Sequence, residues 1–104
     1  MECSKSDWKL FRSRIGEWQE KYMERLVKEY IQRLNSSENA SDKFWKLEER
    51  IKKDRKHPGV ILEMSKSNML YDIVELINYG VITEEDLDGF SDDLKERVDF
   101  FLKR

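Results

Sequence analysis

The feature that most constrains the fold is a stripe of large apolar side chains between residues 8 and 34. They recur at steps of three or four residues, the spacing that places side chains on one side of an α-helix. A stripe this broad must be covered by at least two other helices. We therefore expect residues 17–34 to form a central helix around which the rest of the chain packs. The stripe consists of Trp8, Phe11, Ile15, Trp18, Tyr22 and Leu26, widened in its second half by Met23, Val27, Tyr30, Ile31 and Leu34.

The length of this segment conflicts with a compact fold. A helix over residues 8–34 would rise about 40 Å, whereas a compact chain of this size is roughly 33 Å across. Gly16 is the natural place for a break, because glycine costs about 1 kcal/mol relative to alanine inside a helix. We expect one helix at about 5–15, with Ser4 and Ser6 as candidate N-caps, and a second at about 17–35. The alternative is one straight helix whose first end is covered by a second molecule, as a homodimer through Trp8, Phe11 and Ile15.

A polar segment separates the apolar stripe from the next predicted helix. The Asn/Ser-rich segment 35–41 is typical of a loop, and Asn39 or Ser41 would cap a helix at about 41–56. The sequence His57-Pro58-Gly59 ends that helix, because a residue before proline avoids the helical region. The expected buried side of the helix is formed by Phe44, Trp45, Leu47 and Ile51.

The second half of the chain predicts three more helices. Residues 60–62 could form a strand, but no second strand exists to pair with it, so a helix at about 59–79 is expected, open to a break at 65–68. Gly80 would provide its C-cap. Thr83 and Ser91 cap helices at about 83–89 and 91–103. The predicted fold is an all-α bundle of five to six helices, one domain over residues 1–104.

Composition limits the cellular setting and the kinds of partner. Charged residues make up 40% of the chain, against about 25% in typical domains. No apolar run approaches the roughly 20 residues that span a bilayer, and the N-terminus has no apolar signal-peptide core. Cys3 is the only cysteine; we assign it no role and expect a cytoplasmic protein. Residues 1–57 carry a net charge of +4 and residues 58–104 one of −6.

The usual signatures of catalysis and of metal binding are incomplete. One cysteine and one histidine cannot build a zinc site. Asp86-x-Asp88-Gly89 resembles part of a calcium loop, but Lys95 occupies the position that must supply two carboxylate oxygens. No glycine-rich phosphate loop and no nucleophile with its base can be recognised. We expect no enzyme activity, no metal and no cofactor.

Two charged surfaces remain as candidates for binding. An acidic surface near the C-terminus could imitate phosphates before a basic protein partner. A basic helix could follow a nucleic-acid backbone, although a solvated helix face is the plainer interpretation. The acidic surface comprises Glu84, Glu85, Asp86, Asp88, Asp92 and Asp93; the basic one comprises Lys43, Lys46, Arg50, Lys53, Lys56 and His57.

Three segments also carry a resemblance to other proteins: Asp7-Trp8-Lys9-Leu10-Phe11-Arg12 with Trp18-Gln19-Glu20, Ser41-Asp42-Lys43-Phe44-Trp45-x-Leu47-Glu48, and Gly80-Val81-Ile82-Thr83 followed by Asp86-Leu87 and Phe90-Ser91. Together they resemble a group of short, uncharacterised bacterial proteins that travel on mobile genetic elements. The resemblance rests on core and capping residues and brings no known active site. It implies an accessory or inhibitor protein of an element or phage, for example of the anti-CRISPR kind. We therefore expect a non-catalytic protein-interaction module, with nucleic-acid binding by helix 43–57 as the alternative.

Overall fold

The computed structural model describes residues 4–103, which are all-helical and contain no strand. The predicted fold class is confirmed, but four α-helices are present where five to six were expected. They are α1 (Lys5–Leu34), α2 (Ala40–Asp54), α3 (Met69–Asn78) and α4 (Asp92–Leu102). Two short 3-10 helices, Lys66–Asn68 and Glu84–Leu87, precede α3 and α4. Cys3 lies outside the described residues.

Helix α1 runs through Gly16 without interruption, so the predicted break is wrong. Gly16 is exposed, and the space where a side chain would lie is empty to 4 Å. The fold accommodates the long helix by becoming elongated, with extents of 52 × 23 × 21 Å and a radius of gyration of 16.6 Å. A compact chain of this length would have a radius of gyration of about 13 Å.

The hydrophobic core packs against one side of the first half of α1. Phe11 is fully buried, and Ile15 and Trp18 are each 7% exposed. The expectation of a core around residues 17–34 is therefore wrong for most of that segment. Of the three residues of the alternative dimer surface, the chain itself covers Phe11 and Ile15 and leaves Trp8 half-buried. The other members of the core are Met69, Leu70, Ile73, Leu76, Val81, Ile82, Leu87, Phe90, Leu94 and Val98.

Polar contacts fasten the beginning of α1 to the segment before α4. The buried carboxylate of Asp7 accepts hydrogen bonds from the Ser91 backbone N–H at 2.9 Å and from its hydroxyl at 2.6 Å. Arg14 donates to the backbone carbonyls of Asp86 and Asp88. Charge-assisted bonds of this kind are about twice as strong as neutral ones, so these contacts hold the beginning of α1 against the turn before α4.

The helix caps predicted within the described residues are confirmed. The side chains of Ser4, Asn39 and Ser91 each accept a backbone N–H three residues on. Thr83 opens a capping box, with its own N–H donating to the Asp86 carboxylate at 2.8 Å. Gly80 follows α3 with φ +76°, and the Val81 N–H bonds back to the Leu76 carbonyl. These ends depend only on near neighbours in the chain.

The segment between α2 and α3 departs from prediction. Residues 55–60 form turns and residues 61–65 have no regular secondary structure, so the α-helix expected from residue 59 begins only at Met69. Both Val60 and Ile61 direct their N–H groups to the His57 carbonyl. Ile61 and Glu63 are exposed, so water can satisfy the irregular backbone there.

Candidate interaction surface

The second half of α1 and the antiparallel α2 form a helical hairpin that extends beyond the core. A partly buried ionic cluster joins the two helices. Asp54, 8% exposed, accepts the Tyr30 hydroxyl at 2.5 Å and the Arg50 Nε at 2.9 Å. Arg50 also donates to Glu29 on α1. Burial, together with the hydrogen bond to Asp54, raises the pKa of Tyr30 to about 12, so this phenol remains a donor at neutral pH.

An aromatic stack fixes the base of the hairpin. The His57 ring lies parallel to Tyr22, with ring centroids 4.5 Å apart, and meets the Tyr79 ring edge-on. Its Nδ1 accepts the Gly59 N–H at 3.0 Å. Burial lowers the pKa of His57, which favours the neutral ring that this accepting role requires. Gly59 is needed here, because a Cβ would lie 2.3 Å from the Tyr22 ring.

One side of the hairpin is apolar and uncovered, and we call it the hairpin face. Its side chains are 39–63% exposed. Phe44, Trp45 and Ile51 are 63%, 60% and 39% exposed, so the predicted buried side of α2 is wrong for these three residues. The reason is that no third helix among the described residues lies over the hairpin: α1 covers only the side of α2 that carries Leu47 and Asp54. The hairpin face consists of Met23, Val27, Ile31 and Leu34 on α1 and Phe44, Trp45 and Ile51 on α2.

A shallow groove of about 240 Å³ lies between the two helices on this face. It is lined from α1 by Met23, Leu26, Val27 and Tyr30, and from α2 and the turn after it by Ile51, Asp54, Arg55 and Val60. Apolar grooves between two helices accept the apolar side of a further helix. The geometry therefore suits a helical ligand better than a small polar one.

The six acidic residues lie together on the surface, around the second 3-10 helix and the start of α4. All six side chains are exposed. Two are engaged locally: Asp86 in its capping box and Asp93 in an ion pair with Arg97 at 3.1 Å. Arg14 holds this turn against α1, about 30 Å along the helix from its C-terminal end. The acidic surface is thus remote from the tip of the hairpin.

The basic residues do not form a continuous row. Arg50 is bound to two carboxylates, and His57 stacks on Tyr22 and meets Tyr79 edge-on. Lys46 is paired with Glu38. Lys46, Lys53 and Lys56 are exposed, whereas Lys43, Arg50 and His57 are half-buried. Lys53 and Lys56 border a wider cavity of about 610 Å³ that also carries two glutamates, Glu63 and Glu75.

Asp72 was missed by the sequence interpretation. It lies in α3, is 9% exposed, and its Oδ2 has no hydrogen-bond partner among the described residues. Burial, with a smaller effect from Glu75, raises its pKa to about 6. The signal was present in the sequence, since Asp72 stands three residues after Met69 and four before Leu76 on the apolar side of the helix.

The described part of the chain, residues 4–103, contains no group of three metal-ligating side chains and no helix apolar and long enough to cross a membrane. Comparisons with protein-family models, with curated proteins and with solved structures found no match. The hairpin face is therefore interpreted from its own geometry.

Proposed function

We propose that the protein is a non-catalytic protein-binding module that uses the hairpin face. The observation that carries the proposal is the grouping of seven large apolar side chains, each 39–63% exposed, on one side of a two-helix hairpin. Scattered exposed apolar residues are normal on a protein surface, but contiguous ones mark sites of interaction.

The chemistry of the face supports binding of a helix. Phe44 and Trp45 meet edge-on with ring centroids 4.9 Å apart near the start of α2, and aromatic side chains are the usual anchors of protein interfaces. Fully burying one large apolar side chain contributes about 1.5–3 kcal/mol. Several half-exposed side chains on one face can therefore supply the free energy of a specific complex.

The resemblance to proteins of bacterial mobile elements supports a more specific form of this proposal. In that form the module is an accessory or inhibitor protein of a mobile genetic element or phage. Like an anti-CRISPR protein, it would act by binding another protein. The acidic surface would then offer a second contact for a basic partner. Nucleic-acid binding is less favoured, because Lys46 and Arg50 are already paired with carboxylates and His57 stacks on Tyr22.

Site-specific photo-cross-linking tests the proposed function. A benzophenone amino acid is introduced at Phe44, 63% exposed, and separately at Phe100, 60% exposed on α4. Irradiation of producing cells should yield defined protein adducts from position 44 and none from position 100. Adding Val27→Glu should remove the adducts from position 44, because a charge would then enter the apolar face. Absence of adducts from position 44 contradicts the proposal.

A further inference from the structure

We propose that the occupant of the hairpin face is a second copy of this chain, so that two hairpins form an antiparallel four-helix bundle. The proposal rests on the protein-binding function proposed above and specifies its partner. Three features support it: the size of the face, the layer it lacks, and the charges along its two edges.

The size of the face suits a small homodimer. Helix α2 has 15 residues and is about 22 Å long, and the hairpin is two helices, or roughly 20 Å, wide. Each copy therefore presents a footprint of about 440 Å², and a symmetric pair would bury roughly 880 Å², more than most crystal contacts and in the range of a weak dimer. The enrichment of apolar side chains in this footprint is typical of homodimers.

The hairpin is half of a common architecture. Two antiparallel helices form one layer, and the exposed side of that layer needs a second layer to bury it. A second copy related by a two-fold axis along the hairpin supplies two more helices and completes a four-helix bundle. In that arrangement α1 of one copy lies antiparallel to α2 of the other. Phe44 and Trp45 then lie over the region of Ile31 and Leu34 of the other copy.

One pair of charges beside the hairpin face is complementary across this axis. On one side of the face α1 carries Glu20, Glu24 and Lys28; on the other side Lys52 is paired with Glu48 at 2.8 Å, and Arg55 directly follows α2. Glu24 and Arg55 are both exposed. Arg55 lines the same groove as Met23, so Glu24 and Arg55 lie at about the same height. The axis along the hairpin sets Glu24 of each copy beside Arg55 of the other. An axis across the hairpin would instead pair each edge with itself and lose this match.

The first test measures the molar mass by light scattering over a range of concentrations. The wild-type chain should be dimeric. Phe44→Glu should be monomeric with its helical circular dichroism retained, whereas Phe100→Glu, at an equally exposed phenylalanine outside the hairpin, should remain dimeric. A monomeric wild type overturns the proposal, and so does a dimer that Phe44→Glu leaves intact.

The second test uses charge reversal to establish the reciprocal contact. Glu24→Arg and Arg55→Glu should each weaken the dimer on the order of 10-fold, because each places two like-charge pairs at the interface. An equimolar mixture of the two variants should recover the wild-type affinity, since a mixed dimer contains two opposite-charge pairs. Failure of the mixture to associate better than either variant alone overturns the proposed two-fold arrangement.

The cross-linking experiment separates failure of this inference from failure of the proposed function. Adducts from position 44 should have the mass of two copies of the chain. Adducts to a different protein, with a monomeric wild type, would refute the second copy and leave the binding function in place. No adduct at all would refute both.

Discussion

At the scale of single residues, the buried carboxylate of Asp72 acts against folding at neutral pH. Its pKa is about 6 in the folded protein, against an ordinary value of 3.8. The folded state therefore holds its proton to higher pH than the unfolded state. Linkage then requires that this group's contribution to stability fall as pH rises from about 4 to about 6. Above about pH 6 the ionised carboxylate lowers the free energy of unfolding by its full amount.

Replacing Asp72 by asparagine should therefore stabilise the protein at neutral pH. We expect Asp72→Asn to raise the free energy of unfolding by about 2 kcal/mol at pH 7 and by almost nothing at pH 4. Urea denaturation of both proteins across this range provides the measurement. Glu49→Gln, at an exposed position of α2, should change stability by no more than about 0.5 kcal/mol at either pH. A pH-independent difference for Asp72→Asn would contradict the assignment.

Residue-scale features were also the most predictable from sequence. Ser4, Asn39, Thr83 and Ser91 cap helices through bonds to residues three positions away, so the local sequence contains all that decides them. The contacts of Asp7 with Ser91 could not be predicted in the same way. They join residues 84 positions apart and depend on the packing of α1 against α4.

At the scale of elements, Gly16 and Gly59 have opposite roles. Gly16 lies in the interior of α1, where an added Cβ would have no neighbour within 4 Å, whereas Gly59 lies against the Tyr22 ring. The first glycine therefore only weakens a helix, and the second permits the turn that brings His57 onto Tyr22.

Alanine substitutions at these two positions should change stability in opposite directions. Gly16→Ala should raise the free energy of unfolding by about 0.5–1 kcal/mol, because alanine favours the helix and meets no neighbour. Gly59→Ala should lower it by about 1–3 kcal/mol, because the added methyl group must displace the tyrosine ring. Thermal and chemical denaturation of the two variants gives the comparison. A destabilising Gly16→Ala would mean that α1 does bend there.

Helical periodicity predicted which side chains share a face but not what covers that face. The spacing of Phe44, Leu47 and Ile51 correctly indicated an amphipathic α2, yet Phe44 is among the most exposed large side chains of the described residues. Burial of a face requires a second element in the right place, and the chain supplies α1 on only one side. Sequence reasoning therefore found the apolar residues of the hairpin face and misassigned them to the core.

At the scale of the whole molecule, the core and the hairpin differ in how much they bury. Five residues of α3 are buried, whereas Asp54 is the one buried residue of α2. Free energies of local opening follow such differences. Native-state hydrogen exchange of the monomeric Phe44→Glu variant should show faster exchange in α2 than in α3. Equal protection of the two helices would contradict this division of the molecule.

The continuity of α1 has a mechanical consequence. Trp18 lies in the core beside Phe90, and the same uninterrupted helix carries Leu34 about 24 Å farther on. The helix is not interrupted between these two positions, so a force applied at the tip of the hairpin is transmitted along α1 to the core. Such a force must either bend α1 or displace Trp18 from its packing against Phe90.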